Sequence, residues 1–101
     1  MKSFGDMMKQ AQKVQKQMAE LQEKLGDERF EATAGGGMVK AVVDGKQLLK
    51  ELKISPEALK EDDASLLEDL IITAVGEAQK SSADKMAESY AKLTGGFRLP
   101  M

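Results

Sequence analysis

A seam of apolar residues between Met7 and Leu25 constrains this chain more than any other feature. Met7, Ala11, Val14, Met18, Leu21 and Leu25 recur at alternating spacings of four and three, which lines them up in a narrow stripe on one side of a helix. A solitary rod buries little, so the stripe predicts a partner, either a second helix or another copy of the chain. The opposite side carries Lys2, Lys9, Lys13 and Lys16 at helical spacing, with Gln12 beside them. The flanks of the seam are mostly Gln10, Gln15, Gln17 and Gln22, uncharged positions that impose little selectivity on a partner. Ser3 or Asp6 can cap the start, and Gly26 can supply a left-handed terminator. A helix of that length reaches ~35 Å.

From Asp27 the apolar period shortens to two. Phe30, Ala32 and Ala34 alternate with Glu31 and Thr33, Gly35-Gly36-Gly37 interrupts, and the β-branched run Met38 to Val43 follows; both segments read as strands. Asp44-Gly45 is a signal for a two-residue hairpin. Beyond it Leu48, Leu52 and Ile54 fall on one face of a third strand, with Leu49 opposite. The expectation is a three-stranded antiparallel meander. Ser55-Pro56-Glu57 then marks a short helical turn. A second long helix starts within Asp62 to Ser65, where Ser65 and Glu68 match a capping box. Its apolar positions are dense from Leu66 to Ala78, thin out through Met86, Tyr90 and Leu93, and stop at Gly95-Gly96. The expected core, within one chain or at a dimer interface, comprises Val14, Met18, Leu21, Val39, Val43, Leu52, Ile54, Leu70 and Ala74. Leu66 to Ala78, of the same or of another subunit, is the predicted partner of the first helix. Residues 1–101 are expected to form a single α+β domain, with 95–101 expected to be a flexible tail.

Several classes of chemistry are excluded by what is absent. The chain has no Cys and no His, so thiolate chemistry, disulfides and the commonest general base and transition-metal ligand are missing. Ser81 and Ser82 have no base that could activate them. The acidic group Glu61, Asp62, Asp63, Glu68 and Asp69 lacks the alternation and central Gly of a calcium loop, and acids at a helix start serve capping and the dipole. The triple glycine leads into a strand, whereas a phosphate cradle leads into a helix N-terminus; it reads as a turn. No enzyme, metal, cofactor or small-molecule substrate is expected. No apolar run is long enough to span a membrane, and the N-terminus turns polar before a signal-peptide core could form. A cytoplasmic protein is the default expectation.

Net charge is −2, which argues weakly against nucleic acid as a whole-molecule partner. The acid is concentrated in residues 57–76, and mild basic excess lies at both ends. A row of Lys on a helix is most often a solvated face; read as a binding surface, Lys9, Lys13 and Lys16 on the first helix, with Lys80, Lys85 and Lys92 on the outer part of the second, are the candidate phosphate contacts. Arg occurs only at 29 and 98, so bidentate reading of guanine is not expected.

The order of long helix, meander, short turn and long helix resembles the YbaB/EbfC nucleoid-associated proteins over essentially the full length. The resemblance rests on FGDMMKQAQKVQKQMAELQEKL, GGGMVKAVVDGKQLLKELKISPEAL, EDDASLLEDLIITAVGEAQKSSADKM and GGFRLPM. It implies a homodimer joined through sheets and neighbouring helix segments, with long helices projecting as tweezer-like arms. It further implies non-catalytic binding of double-stranded DNA with low sequence specificity in the bacterial nucleoid, and in some members an effect on gene expression. Carried over by charge within matching segments, the arm contacts are the six lysines named above. The alternative class is a protein–protein interaction module whose arms, exposed Met7 and Met8, or terminal FRLPM clasp another protein.

Overall fold

The computed structural model of the chain describes residues 3–60 and 62–94. The expected flexible tail, residues 95–101, lies outside them. Ser3 begins the first helix, its Oγ accepting the Asp6 N–H at 3.2 Å. Six elements follow in the predicted order: α1 (Phe4–Gly26), β1 (Arg29–Ala34), β2 (Val39–Asp44), β3 (Leu49–Ile54), α2 (Pro56–Leu59) and α3 (Ala64–Thr94). The strands form one antiparallel sheet in the order β1-β2-β3, the expected meander. Ser55 caps α2 by accepting the Ala58 N–H at 3.3 Å, with Pro56 at its first position. At α3 the cap is Asp63, whose Oδ1 accepts the Leu66 N–H at 3.1 Å; Ser65, the capping-box candidate, already lies inside the helix.

Strand alternation divides the sheet into an apolar and a charged face. Val39, Ala41 and Val43 of β2 are fully buried with Ala34, Ala74 and Ala78, and Phe30, Ala32, Leu67, Leu70, Ile71 and Val75 pack around them. Leu66 to Ala78 therefore covers the sheet. Within one chain this corrects the expectation that it covers α1, whose partner there is instead the outer half of α3. On the other face Lys40 bridges Glu31 at 3.5 Å and Lys53 bridges Glu51 at 3.2 Å.

Two turn readings are also corrected. The hairpin after β2 has three loop residues rather than two: the Asp44 carbonyl accepts the Gln47 N–H at 3.0 Å, but the Asp44 N–H donates to the Leu48 carbonyl, also at 3.0 Å, and Gln47 takes the left-handed conformation, with φ 68°. Gly45 is needed for a different reason, since a Cβ there would collide with the Leu25 carbonyl. Likewise Gly26 ends α1 without a left-handed residue, Asp27 closing the helix at φ −87°. Gly35, Gly36 and Gly37, by contrast, hold φ of 64°, 67° and 95°, a run of left-handed backbone that only glycine adopts readily.

The third strand departs from simple alternation. Val42 pairs with Glu51 and Val43 with Leu49, so Lys50 is an extra residue, a bulge that reverses the phase of the strand. As a result Leu49 joins Leu52 and Ile54 on the helix-covered face, where Leu48 was expected. Because α3 lies over β1 and β2, the β3 part of that face stays open: Leu49 is 46% and Leu52 37% exposed.

Candidate nucleic-acid interface

The base of the arms is a compact joint around Asp44. Its backbone N–H donates to the Leu48 carbonyl at 3.0 Å, while its carboxylate accepts the N–H groups of Lys46 and Leu48 at 2.8 and 3.0 Å. Lys50 Nζ stands 3.6 Å from the other carboxylate oxygen. Burial pushes the Asp44 carboxyl up, but the Leu48 and Lys46 N–H groups and the Lys50 ammonium outweigh it, leaving the pKa below the ordinary carboxylate value. Buried Ser82 of α3 donates its Oγ–H to the Asp44 carbonyl at 2.8 Å, and Gln79 donates to the Gln47 carbonyl at 3.2 Å. With the Leu25 carbonyl seated against Gly45, one loop thus fixes both long helices.

From this joint α1 and α3 run antiparallel. Gln17, Glu20, Leu21 and Lys24 of α1 face Ser89, Lys92 and Leu93 of α3 across a cleft of about 480 Å³. Buried Leu25 and half-buried Leu21, Met18, Gln17 and Val14 follow the predicted seam. Of the other expected core positions, Val39, Val43 and Ala74 are buried, Leu70 and Ile54 are half-buried, and Leu52 is exposed in the single chain. The molecule is elongated as a result, with extents of 70 × 28 × 16 Å.

All six candidate lysines are exposed. Lys9, Lys13 and Lys16 fall within ~60° of one another on α1 and about 180° from the seam, so they point away from α3. None of the three forms an ion pair among the described residues. On α3, Lys85 and Lys92 are seven residues apart and nearly eclipse, whereas Lys80 lies roughly 140° round from Lys85. The six therefore do not share a face: Lys92 lines the cleft and bridges Glu88 at 3.3 Å. Lys24, which sequence reasoning passed over, lines the same cleft; its only signal was a basic residue in the last turn of α1, a place that the helix dipole explains by itself. Arg29, the one Arg among the described residues, donates to the carbonyls of Asp27 and Glu28, both at 3.3 Å, at the base of α1.

Catalytic alternatives find little in this geometry. Ser82 is buried with its hydroxyl committed to a carbonyl. Among the described residues no cluster of acidic side chains has the form of a metal site, and no helix is long and apolar enough to cross a membrane.

The model of the YbaB/EbfC DNA-binding family matches residues 1–97. A nucleoid-associated protein of Desulforamulus reducens is 50% identical over 98 residues, covering 97% of this chain and 93% of the relative. One from Clostridium kluyveri is 45% identical over 98 residues, covering 97% and 86%. In three dimensions the fold is similar to the crystal structure of an uncharacterized protein of Helicobacter pylori, with a TM-score of 0.83 at 20% identity, covering 92% of this chain and 98% of that one.

Proposed function

The chain belongs to the YbaB/EbfC DNA-binding family, which is not an enzyme family, and from that premise we propose that it is a nucleoid-associated homodimer that grips duplex DNA through phosphates. The observation that carries this reading is the row Lys9, Lys13 and Lys16: exposed, without ion pairs among the described residues, and on the side of α1 turned away from α3. Lysine ammonium groups on a rigid rod suit phosphate contact, which positions a protein without reading sequence. Low specificity follows from the fixed place of Arg29 at the base of the arm. Occupancy of regulatory DNA by such a protein would alter expression of the genes nearby. The net charge of −2 supplies no long-range attraction, so binding rests on these local rows.

The homodimer is supported by the uncovered part of the sheet. Leu49, Leu52 and Ile54 line its open edge. The Gln79 bond to Gln47 turns the α3 flank that carries Ile72 and Val75 toward the same side, and Ile72 is 69% exposed. An apolar patch of this kind on a small domain calls for a partner, and a second copy applied about a twofold axis covers both patches at once. The alternative, in which the arms clasp another protein, gains nothing from the exposed lysines.

Replacing Lys9, Lys13 and Lys16 together with Glu tests the DNA reading. Fluorescence anisotropy with a labelled duplex at two salt concentrations should show wild-type affinity falling steeply with salt, as counterion release demands. The triple variant should lose binding while sedimenting like the wild type. Undiminished binding by that variant would remove the contact from α1.

A further inference from the structure

Building on the homodimer reading above, we propose that the flank of α3 around Gly76 seats the third strand of a second copy, so that each α3 is held between its own sheet and its neighbour's. Gly76 is a residue that the single chain leaves without a reason. It lies in the middle of the 31-residue α3 and is exposed. Beyond its own helix backbone, no described atom lies within 4 Å of where a Cβ would stand. Nor is it among the glycines with left-handed backbone, so alanine is the better residue for a lone helix there. A missing side chain at such a place serves the close approach of something else.

Position, level and charge identify the occupant. Ile72, 69% exposed, stands one turn before Gly76, and Gln79 lies within ~60° of it, so an apolar knob and a gap share one flank. That flank looks toward β3, because Gln79 donates to the Gln47 carbonyl at 3.2 Å. β3 in turn is the part of the apolar sheet face that lacks a helix, with Leu49 46% and Leu52 37% exposed. An isologous pair joins such a strand and such a flank twice. β3 starts beside Gln79 and ends where Ser55 donates its N–H to the Met38 carbonyl at 2.8 Å, near Gly35, against which Leu70 is packed. It therefore runs back along α3, and Leu49 and Leu52 stand about level with Gly76. A twofold axis alongside α3 preserves that level and carries Leu49 and Leu52 of the second copy over Gly76. Residues 44–54 hold three Lys against Asp44 and Glu51, whereas residues 62–72 hold four acids and no base, so the first half of α3 attracts a neighbour's third strand.

Substitutions at Gly76 act in opposite senses on the helix and on the pair. In dilute, dissociated protein Gly76→Ala should raise the urea midpoint, since alanine is the better helix former, and Gly76→Leu should keep the helicity. Sedimentation equilibrium should nevertheless show a weaker dimer for both, the dissociation constant rising about tenfold or more for Gly76→Leu. Glu77→Leu, ~100° round α3 from Gly76 and away from Ile72, should leave that constant unchanged. A dimer indifferent to Gly76→Leu would overturn the seat while leaving the homodimer intact. A wild-type protein that stays monomeric at every concentration would remove the homodimer reading and the seat with it. Because the chain has no Cys, oxidising a mixture of Gly76→Cys and Leu52→Cys proteins should give mainly the mixed disulfide. A preponderance of disulfide between two Gly76→Cys chains would set α3 against α3 and refute the strand's place.

Discussion

Replacing Gly45 with Ala tests whether the joint at Asp44 sets the arms. Gly45 is not among the left-handed glycines, so Ala suits its backbone, and in open space the change would stabilise the fold by about 0.4–1 kcal/mol through the unfolded chain. Here the added methyl meets the Leu25 carbonyl and the Gly26 nitrogen, main-chain atoms that cannot swing aside as a lysine tip can. Forcing a methyl into such a contact costs about 1–3 kcal/mol. The collision outweighs the gain, leaving a net loss of roughly 1–2 kcal/mol, or a Tm lower by about 4–16 °C in a domain of this size. A second effect reaches further. Leu25 to Phe4 is a lever of about 31 Å, so a tilt of ~5° at the joint moves the tip by roughly 3 Å, comparable with the reach of a hydrogen bond. Thermal melting at fixed protein concentration, with anisotropy on a DNA duplex below the melt, should show lower Tm and weaker binding together. Gly36→Ala is the control: it has open space but φ of 67°, so it should lose only about 1–2 kcal/mol of backbone strain and no DNA affinity. A Gly45→Ala protein as stable as wild type would refute the close seating of α1 on the hairpin.

Three further outcomes are expected. Val43→Asp places an unpaired charge at a position with 0% exposure, a desolvation loss comparable to total stability; circular dichroism should show an unfolded chain, and a folded one would misplace β2. Because the fold holds the Asp44 pKa below its ordinary value, the carboxylate adds stability that is complete above that ordinary value, about pH 4, and is lost as pH falls through the folded pKa. The gap in urea midpoint between wild type and Asp44→Asn should therefore be widest near neutrality and shrink below about pH 4; a gap independent of pH would show that the charge is irrelevant. Ile72→Asp should give a monomer in sedimentation velocity with unchanged helicity, and a persisting dimer would put the interface elsewhere.

The parts of this fold that follow a local period were legible in the chain. The seam at spacings of three and four gave α1, and Phe30, Ala32 and Ala34 gave the inward face of β1. Ser55-Pro56 gave the start of α2. Legibility failed where a residue's role depends on a neighbour distant in sequence. Asp44-Gly45 carries the dipeptide signature of a tight turn, but Leu25 is what requires glycine there. Lys50 has no local mark of a bulge, so the phase reversal that exchanges Leu48 for Leu49 was invisible. The apolar run Leu66 to Ala78 suited either α1 or a sheet, and only the packed sheet decides between them. For the candidate interface, exposure of all six lysines was foreseeable from type alone. That Lys80 and Lys85 point in different directions needed only the helix angle, whereas the shared cleft of Lys24 and Lys92 needed the antiparallel register of the arms.

The extra residue at Lys50 has a bearing on what this protein does not become. An edge strand with leucines exposed on one side is a template for unlimited stacking of like strands, because each added strand offers the same edge to the next. A bulge bends and twists that edge, and Lys50 turns back to Asp44 at 3.6 Å, spoiling the flat repeat that a growing fibril needs. The same leucines can then be covered by one neighbour without inviting a third, so a single unmatched lysine favours a closed pair over a polymer.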